Sequence, residues 1–242
     1  MLMFEWIADP QAWIALGTLT ALEIVLGIDN IIFITILVGK LPEKQRRLAL
    51  NLGLGLAMIS RLILLFSISW VMSLTADLFA VSGQGISGRD IILIVGGLFL
   101  LTKSTREIHH NIEEDDHPGG KKQFAQSMGL LLVQIAVLDI VFSLDSVITA
   151  IGLAKDVMIM AVAIVIAVGV MLFAAQSIGN FVEKHPTIKI LALSFLILVG
   201  MTLILEGFDV HVPKGYIYFA MAFSVGVEMV NLRIRDKKRA AS

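Results

Sequence analysis

The feature that most constrains this sequence is a series of long apolar runs of the kind that form membrane-spanning helices. A bilayer core is crossed by about 20 mostly apolar residues in helical conformation. Seven such runs lie near residues 12 to 39, 47 to 72, 89 to 103, 125 to 153, 157 to 181, 187 to 206 and 215 to 232. Of the chain, 57% is hydrophobic and 16% charged, against about 45–50% and about 25% in soluble domains. We therefore predict an all-α polytopic membrane protein with about seven transmembrane helices.

Basic residues alternate between the predicted loops, which indicates how the helices are oriented. Lys and Arg accumulate on the cytoplasmic side of membrane proteins. The first, third and fifth loops and the C-terminus carry Lys40, Lys44, Arg46, Arg47, Lys103, Arg106, Lys121, Lys122, Lys184, Lys189, Arg233, Arg235, Lys237, Lys238 and Arg239. The opposite side has Arg89, Lys155 and Lys214. We predict a multi-pass protein of a bacterial inner (plasma) membrane, with its N-terminus outside and its C-terminus cytoplasmic.

Two segments of the chain resemble each other at a constant offset of 116 residues: ALEIVLGIDNIIFI at 21 to 34 and VLDIVFSLDSVITA at 137 to 150. The alignment superposes polar residues in three pairs: Glu23 on Asp139, Asp29 on Asp145 and Asn30 on Ser146. A looser match relates 95 to 104 to 198 to 207 at an offset of 103. Each unit then holds three helices, and an odd number gives the two units opposite orientations. This is the inverted-repeat plan of many transporters.

The predicted organisation is a single transmembrane domain over 1–242. Its parts are repeat 1 at about 12–103, a cytoplasmic loop at 104–124, repeat 2 at about 125–206, an extra helix at 215–232 and a basic cytoplasmic tail at 233–242. The loop at 104–124 contains histidines and acids that we interpret as part of a solvated connector. The other long connection is 73 to 88.

Acidic residues inside the apolar runs are the candidate functional residues. An ionisable side chain at the membrane centre costs at least about 2.5 kcal/mol and is a functional-site hypothesis by default. The candidate metal ligands are Glu23, Asp29, Asn30, Asp139, Asp145 and Ser146. Carboxylate, amide and hydroxyl oxygens suit Mn²⁺, Mg²⁺ or Ca²⁺. Because the chain has no cysteine, a thiolate site is excluded.

The spacing of these residues predicts how they would converge. Glu23 and Asn30 are seven residues apart and share a helix face, as do Asp139 and Ser146. The remaining two aspartates point to one side of that face. For all of them to meet, we expect the helices to be distorted near Gly27 and Ser143.

Two alternatives to a metal site remain open at this stage. The acids could pair with polar residues within the apolar runs to fix helix packing, through Arg61, Lys103, Gln134 or Gln176. Two intramembrane aspartates could also form a proteolytic dyad, but the Gly-x-Gly-Asp segment expected for one is missing. We expect no enzymatic activity, no catalytic residue, no permanently bound cofactor and no nucleic-acid partner.

Four segments together resemble the TerC family of integral membrane proteins, including its short type without CBS or transporter-associated domains. They lie at 22 to 30, 98 to 113, 138 to 146 and 205 to 231. The resemblance implies a fold related to the LysE-type exporters, with members linked to manganese efflux, tellurium-compound resistance and metal supply to exported enzymes. It also implies that the family's acidic positions are Glu23, Asp29, Asn30, Asp139 and Asp145 here.

The function that we expect is Mn²⁺ efflux from the cytoplasm, with the direction taken from the resemblance. Clustered acids repel one another, so some should hold protons when no cation is bound, which favours exchange of the cation for protons. The alternatives are transport of Ca²⁺ or another divalent cation, and a non-transporting membrane partner that supplies metal to exported proteins or helps assemble them. The expected partners are the lipid bilayer, a divalent metal ion and protons. A homo-oligomer and a partner in the translocation machinery are also left open.

Overall fold

The computed structural model describes residues 9–39, 41–81, 84–113, 127–153 and 157–241. Within these ranges the chain forms eight helices and one two-stranded hairpin. They are α1 (Pro10–Val38), α2 (Glu43–Phe66), α3 (Ile68–Ser73), β1 (Asp77–Val81), β2 (Gln84–Ser87), α4 (Gly88–Glu113), α5 (Met128–Leu153), α6 (Val157–Lys184), α7 (Pro186–Glu206) and α8 (Lys214–Ala241).

The long helices confirm an all-α membrane protein. Among the described residues, five helices or parts of helices are long and apolar enough to cross a membrane: Pro10–Val38, Glu43–Phe66, Val157–Lys184, Pro186–Glu206 and Gly215–Arg235. A shorter apolar stretch, Met128–Leu144, lies in α5. Two predicted runs are not among the five: 89 to 103 lies within α4, and residues 128 to 153 of the other form α5.

Local signals in the sequence set the ends of two of these helices. Asp9 caps α1 by accepting a hydrogen bond from the backbone N–H of Gln11 at 2.9 Å, and Pro10 opens the helix. Pro186 occupies the first turn of α7 in the same way, and Gly207 follows its last residue. These signals fix where the apolar runs enter and leave the helical conformation.

Three connections differ from the sequence prediction. The segment 104–113, predicted as loop, continues α4 to Glu113, and the tail from 233 to 241 continues α8. The first segment contains one Arg and two Glu, and the second contains three Arg and two Lys; these residues favour helix and extend it beyond the apolar part that a hydropathy pattern detects. The connection 73–88 contains the hairpin, in which Asp77 lies opposite Ser87 in an antiparallel pair.

The described elements group into two compact units. The first comprises α1, α2, α3, the hairpin, α5 and α6 up to residue 180. In this unit α2 packs mainly against α5 and also against α1. A Cβ atom at Gly53 of α2 would lie 3.0 Å from Ile135 Cδ1 on α5 and 3.4 Å from Ile34 Cγ2 on α1. The absence of a side chain at Gly53 therefore lets three helices approach closely.

The second unit comprises α4 from residue 90, the end of α6, α7 and α8. Here α7 contacts both α8 and α4. A Cβ at Gly97 on α4 would lie 2.5 Å from the carbonyl oxygen of Gly200 on α7, and a Cβ at Gly200 would lie 3.0 Å from the carbonyl oxygen of Gly97. The two helices thus cross with their backbones in contact, as small residues permit in membrane helices.

Candidate functional site

A buried aspartate on α5 forms the centre of a polar network inside the first unit. Asp139 Oδ1 accepts a hydrogen bond from Arg61 Nε at 3.1 Å and one from Asn30 Nδ2 at 3.4 Å. Arg61 Nη2 lies 3.1 Å from the same oxygen. Asp139 Oδ2 accepts from Ser60 Oγ at 2.7 Å and from Ser143 Oγ at 3.3 Å. Both oxygens of this carboxylate therefore have polar partners from three helices.

The guanidinium of Arg61 bridges two carboxylates that come from different helices. Its Nη1 donates to Glu23 Oε2 on α1, while Nε and Nη2 face Asp139 on α5. Only 5% of the Arg61 side chain is exposed, against 12% for Glu23 and 3% for Asp139. The arginine thus connects α1, α2 and α5 through one buried ion-pair network.

Helix periodicity explains why these residues meet. On α2, Gly53, Ala57 and Ser60 follow one another at helical spacing and all are buried, so a line of small residues runs along the buried face. Arg61 stands at the end of that face. On α5, Ser143 is one turn beyond Asp139, which places its hydroxyl against the carboxylate. These positions bring Ser60, Arg61 and Ser143 to the same carboxylate.

The charge balance of the network is uneven. Two carboxylates, Glu23 and Asp139, share the single guanidinium of Arg61, so the contacting groups carry one formal negative charge in excess when both acids are ionised. Unpaired buried charge is costly in a low-dielectric interior. A bound cation or a proton would balance the excess. The arrangement can therefore hold one positive charge in addition to Arg61.

Three of the six predicted ligands are brought together. Glu23, Asn30 and Asp139 belong to the network, whereas the side chains of Asp29, Asp145 and Ser146 lie outside the described residues. Within the part of the chain that the structure describes, no group of three or more His, Asp or Glu residues is arranged to hold a metal ion.

The expected interruptions at Gly27 and Ser143 are not seen, because α1 and α5 are helical throughout. Gly27 instead gives room to Met171 of α6, whose sulfur would collide with a Cβ at that position. Ser143 stays helical and uses its hydroxyl to hold Asp139. Close packing and hydrogen bonding, not a broken helix, account for these two residues.

The packing alternative is confirmed for Arg61, which pairs with both Glu23 and Asp139. Gln176 is exposed on α6. Sequence analysis missed Ser60 as a partner of Asp139. Its position next to Arg61, on a face of small residues, is the signal that could have identified it.

A buried charge network carried by long apolar helices defines a multi-pass integral membrane protein with a polar centre. The chain belongs to the integral membrane protein TerC family, which it matches over residues 8–241. Relatives of this chain include proteins named as inner membrane proteins, which agrees with a multi-pass protein of that membrane.

Curated relatives match almost the whole chain. It is 63% identical to a UPF0053 protein of Haemophilus influenzae over 233 residues, covering 96% of this chain and 98% of the relative. It is 62% identical to the UPF0053 inner membrane protein YgdQ of Escherichia coli over 237 residues, covering 98% and 99%. Against the UPF0053 inner membrane protein YoaE of Escherichia coli the identity is 50%, over 94% of this chain and 44% of that longer protein. No solved structure matches the chain.

Proposed function

We propose that this protein transports a divalent metal ion, and that it exports Mn²⁺ from the cytoplasm in exchange for protons. The ligands and proton carriers are drawn from Glu23, Asp29, Asn30, Asp139, Asp145 and Ser146. The proposal includes the orientation with the N-terminus outside and the C-terminus in the cytoplasm. It assigns no catalytic reaction to the chain.

The observation that carries the proposal is the excess negative charge of the buried network. Glu23 and Asp139 contact one guanidinium. Glu23 and Arg61 lie on helices long and apolar enough to cross a membrane, and Asp139 lies in the shorter apolar stretch Met128–Leu144. Acids in such positions almost always pair with one another or mark an ion or proton pathway. Asp29 and Asp145 add two further carboxylates to the same helices by sequence. A site with this surplus attracts cations.

Two contacts support the inverted repeat on which the proposal depends. Glu23 and Asp139, superposed at the offset of 116, meet on Arg61 in the first unit. Gly97 and Gly200, superposed at the offset of 103, meet in the second unit. The first pair is joined through Arg61 and the second by direct backbone approach, and counterparts that lie close together are expected where two repeats are related by a pseudo-two-fold axis. Transporters built on this plan bind their substrate at the repeat interface.

The chemistry of the site favours a hard cation over a soft one. Carboxylate, amide and hydroxyl oxygens are the groups present, and these suit Mn²⁺, Mg²⁺ and Ca²⁺. Mn²⁺ is chosen because of the TerC resemblance. Ca²⁺ or another divalent ion is the alternative cargo, and competition against Mn²⁺ flux distinguishes them.

A second candidate function is favoured by the ion pairs themselves. Arg61 pairs with the buried Asp139, which is what a purely structural network would show. The protein would then be a non-transporting membrane partner that supplies metal to exported proteins or helps assemble them. This candidate requires contact with another membrane protein, which a pull-down from solubilised membranes would detect.

The test of transport is Mn²⁺ flux into liposomes that contain the purified protein under an imposed pH gradient. Wild type is compared with Asp29→Asn, Asp145→Asn and Glu23→Gln, which keep the side-chain shape and remove the charge. The matched control is Glu43→Gln, at an exposed acid in the first turn of α2. We expect wild type and Glu43→Gln to move Mn²⁺ and the other three to fail while remaining folded. Wild type that moves no Mn²⁺ or competing cation would leave the assembly-partner function as the better account.

A further inference from the structure

The two acids paired by the repeat are held in very different ways. Asp139 accepts from four residues on three helices and uses both of its oxygens. Glu23 is joined to the described network through Oε2 alone, by Arg61 Nη1. Glu23 is also the more exposed of the two, at 12% against 3%. Among the described residues, the aspartate accepts on both oxygens, whereas the glutamate accepts on Oε2 alone.

The guanidinium of Arg61 divides its donors in the same uneven way. Nε and Nη2 both lie 3.1 Å from Asp139 Oδ1, so the arginine is held to the aspartate along one edge. Only Nη1 reaches toward Glu23. A contact through one nitrogen can be broken while the two-nitrogen contact persists. Arg61 therefore contacts Asp139 through two nitrogens and Glu23 through one, although the single contact is the shorter, at 2.5 Å.

From this asymmetry we infer that Arg61 is a tethered internal cation that competes with the transported cation for Glu23, and that Asp139 anchors Arg61 instead of binding the metal. The inference rests on the proposed function. It changes the role of one of the predicted ligands. Asp139 becomes a positioning residue, and Glu23 the ligand that is exchanged.

The inference gives the exchange a definite order. An arriving divalent cation displaces Nη1 from Glu23 and takes Oε1 and Oε2, while Ser60, Ser143 and Asn30 keep Asp139 in place. No covalent bond is made or broken. When the cation leaves, Nη1 returns to Glu23, so the carboxylate is not left as an unpaired charge in an apolar environment. Arg61 thus limits affinity and promotes release.

The test is Mn²⁺ binding to the purified full-length protein in lipid nanodiscs, measured from the electron paramagnetic resonance signal of free Mn²⁺. The informative variant combines Arg61→Gln with Asp139→Asn, because removing both partners avoids an unpaired buried aspartate. If Asp139 were a ligand, this variant would lose affinity. If Arg61 is a competitor, affinity should rise by about tenfold or more, since a nearby positive charge has been removed.

The companion variants make the test specific. Glu23→Gln should weaken binding by about tenfold or more, and Arg47→Gln, at an exposed arginine of the same helix, should match wild type. The double variant should also release Mn²⁺ more slowly in stopped-flow dilution. If wild type binds Mn²⁺ and the double variant binds it equally well or more weakly, the inference is overturned. The proposed transport function is not contradicted by that result. Wild type and double variant that both bind no divalent cation overturn the proposed function as well.

A third variant covers the case in which the double variant does not fold. Arg61→Lys retains the charge but has no planar fork to hold Asp139 along one edge and Glu23 through the remaining nitrogen. We expect the ammonium to stay with the better-satisfied Asp139, so Mn²⁺ affinity should rise severalfold over wild type. An equal or lower affinity in folded Arg61→Lys contradicts the inference.

Discussion

The contact between Arg61 and Asp139 predicts a strong energetic coupling between these residues in the stability of the fold. Arg61→Gln leaves two carboxylates without their shared cation, and removing one partner of a buried ion pair costs about 3–5 kcal/mol of unfolding free energy. Asp139→Asn is milder, because the amide oxygen still accepts from Arg61 and Glu23 still neutralises the arginine. We expect it to cost about 1–3 kcal/mol.

The double variant separates coupling from simple addition. If the residues acted independently, its cost would equal the sum of the two single costs. Because the ion pair between Arg61 and Asp139 is already lost in either single variant, we expect the double variant to fall short of that sum by about 2 kcal/mol. Steric trapping in bicelles measures the unfolding free energy of membrane proteins. The matched control, Arg47→Gln at an exposed position on the same helix, should stay within about 0.5 kcal/mol of wild type.

Additive costs, agreeing within about 0.5 kcal/mol, would refute the reasoning. They would mean that Arg61 and Asp139 do not interact in the folded protein, although their side-chain atoms lie 3.1 Å apart in the structure. The network could then hold neither a tethered cation nor a shared excess charge.

Two further predictions concern the helix crossing and the topology. Gly97→Val should destabilise the protein strongly, because a Cβ would lie 2.5 Å from the carbonyl oxygen of Gly200 on α7. The control Gly129→Val should be tolerated, since nothing described lies within 4 Å of a Cβ there. Thermal unfolding in detergent compares the stability of the two variants. Because the chain has no cysteine, single Lys44→Cys and Lys155→Cys variants report the orientation of the helices. A membrane-impermeant maleimide should label Lys155→Cys in intact spheroplasts and Lys44→Cys only after lysis. The reverse pattern would contradict the predicted topology, in which the N-terminus is outside and the C-terminus is cytoplasmic.

The sequence is informative about which segments form helices and less so about where some of them stop. Apolar runs predict the membrane part of α1, α2, α6 and α7 because bilayer thickness sets the length of such runs. The length of an apolar run does not predict the polar ends of α4 and α8, because helix formation outside the lipid depends on helix propensity and capping. The hairpin between 77 and 87 is too short to leave a periodic pattern.

The candidate site was also predicted only in part: the sequence indicates its acids but not their partners. Repeat alignment identified Glu23 and Asp139 as related positions, and the structure brings both to Arg61. Hydropathy and spacing do not specify the rotation of one helix against another, so the hydrogen bonds from Ser60 and Ser143 to Asp139 could not be derived. Which side chains bond to Asp139 depends on how the helices pack against one another. The saturation of Asp139, and with it the distinction between the two acids, emerged only from the structure.

The central claim is that this protein exchanges a divalent cation for protons through an acidic site within the membrane. The most direct measurement records Mn²⁺ uptake and luminal pH together in liposomes that contain wild type, with protein-free liposomes as the reference. The account predicts Mn²⁺ movement accompanied by proton movement in the opposite direction, with each gradient able to drive the other. Mn²⁺ movement without proton movement would contradict the coupling, and the absence of any protein-dependent cation movement would contradict the claim itself.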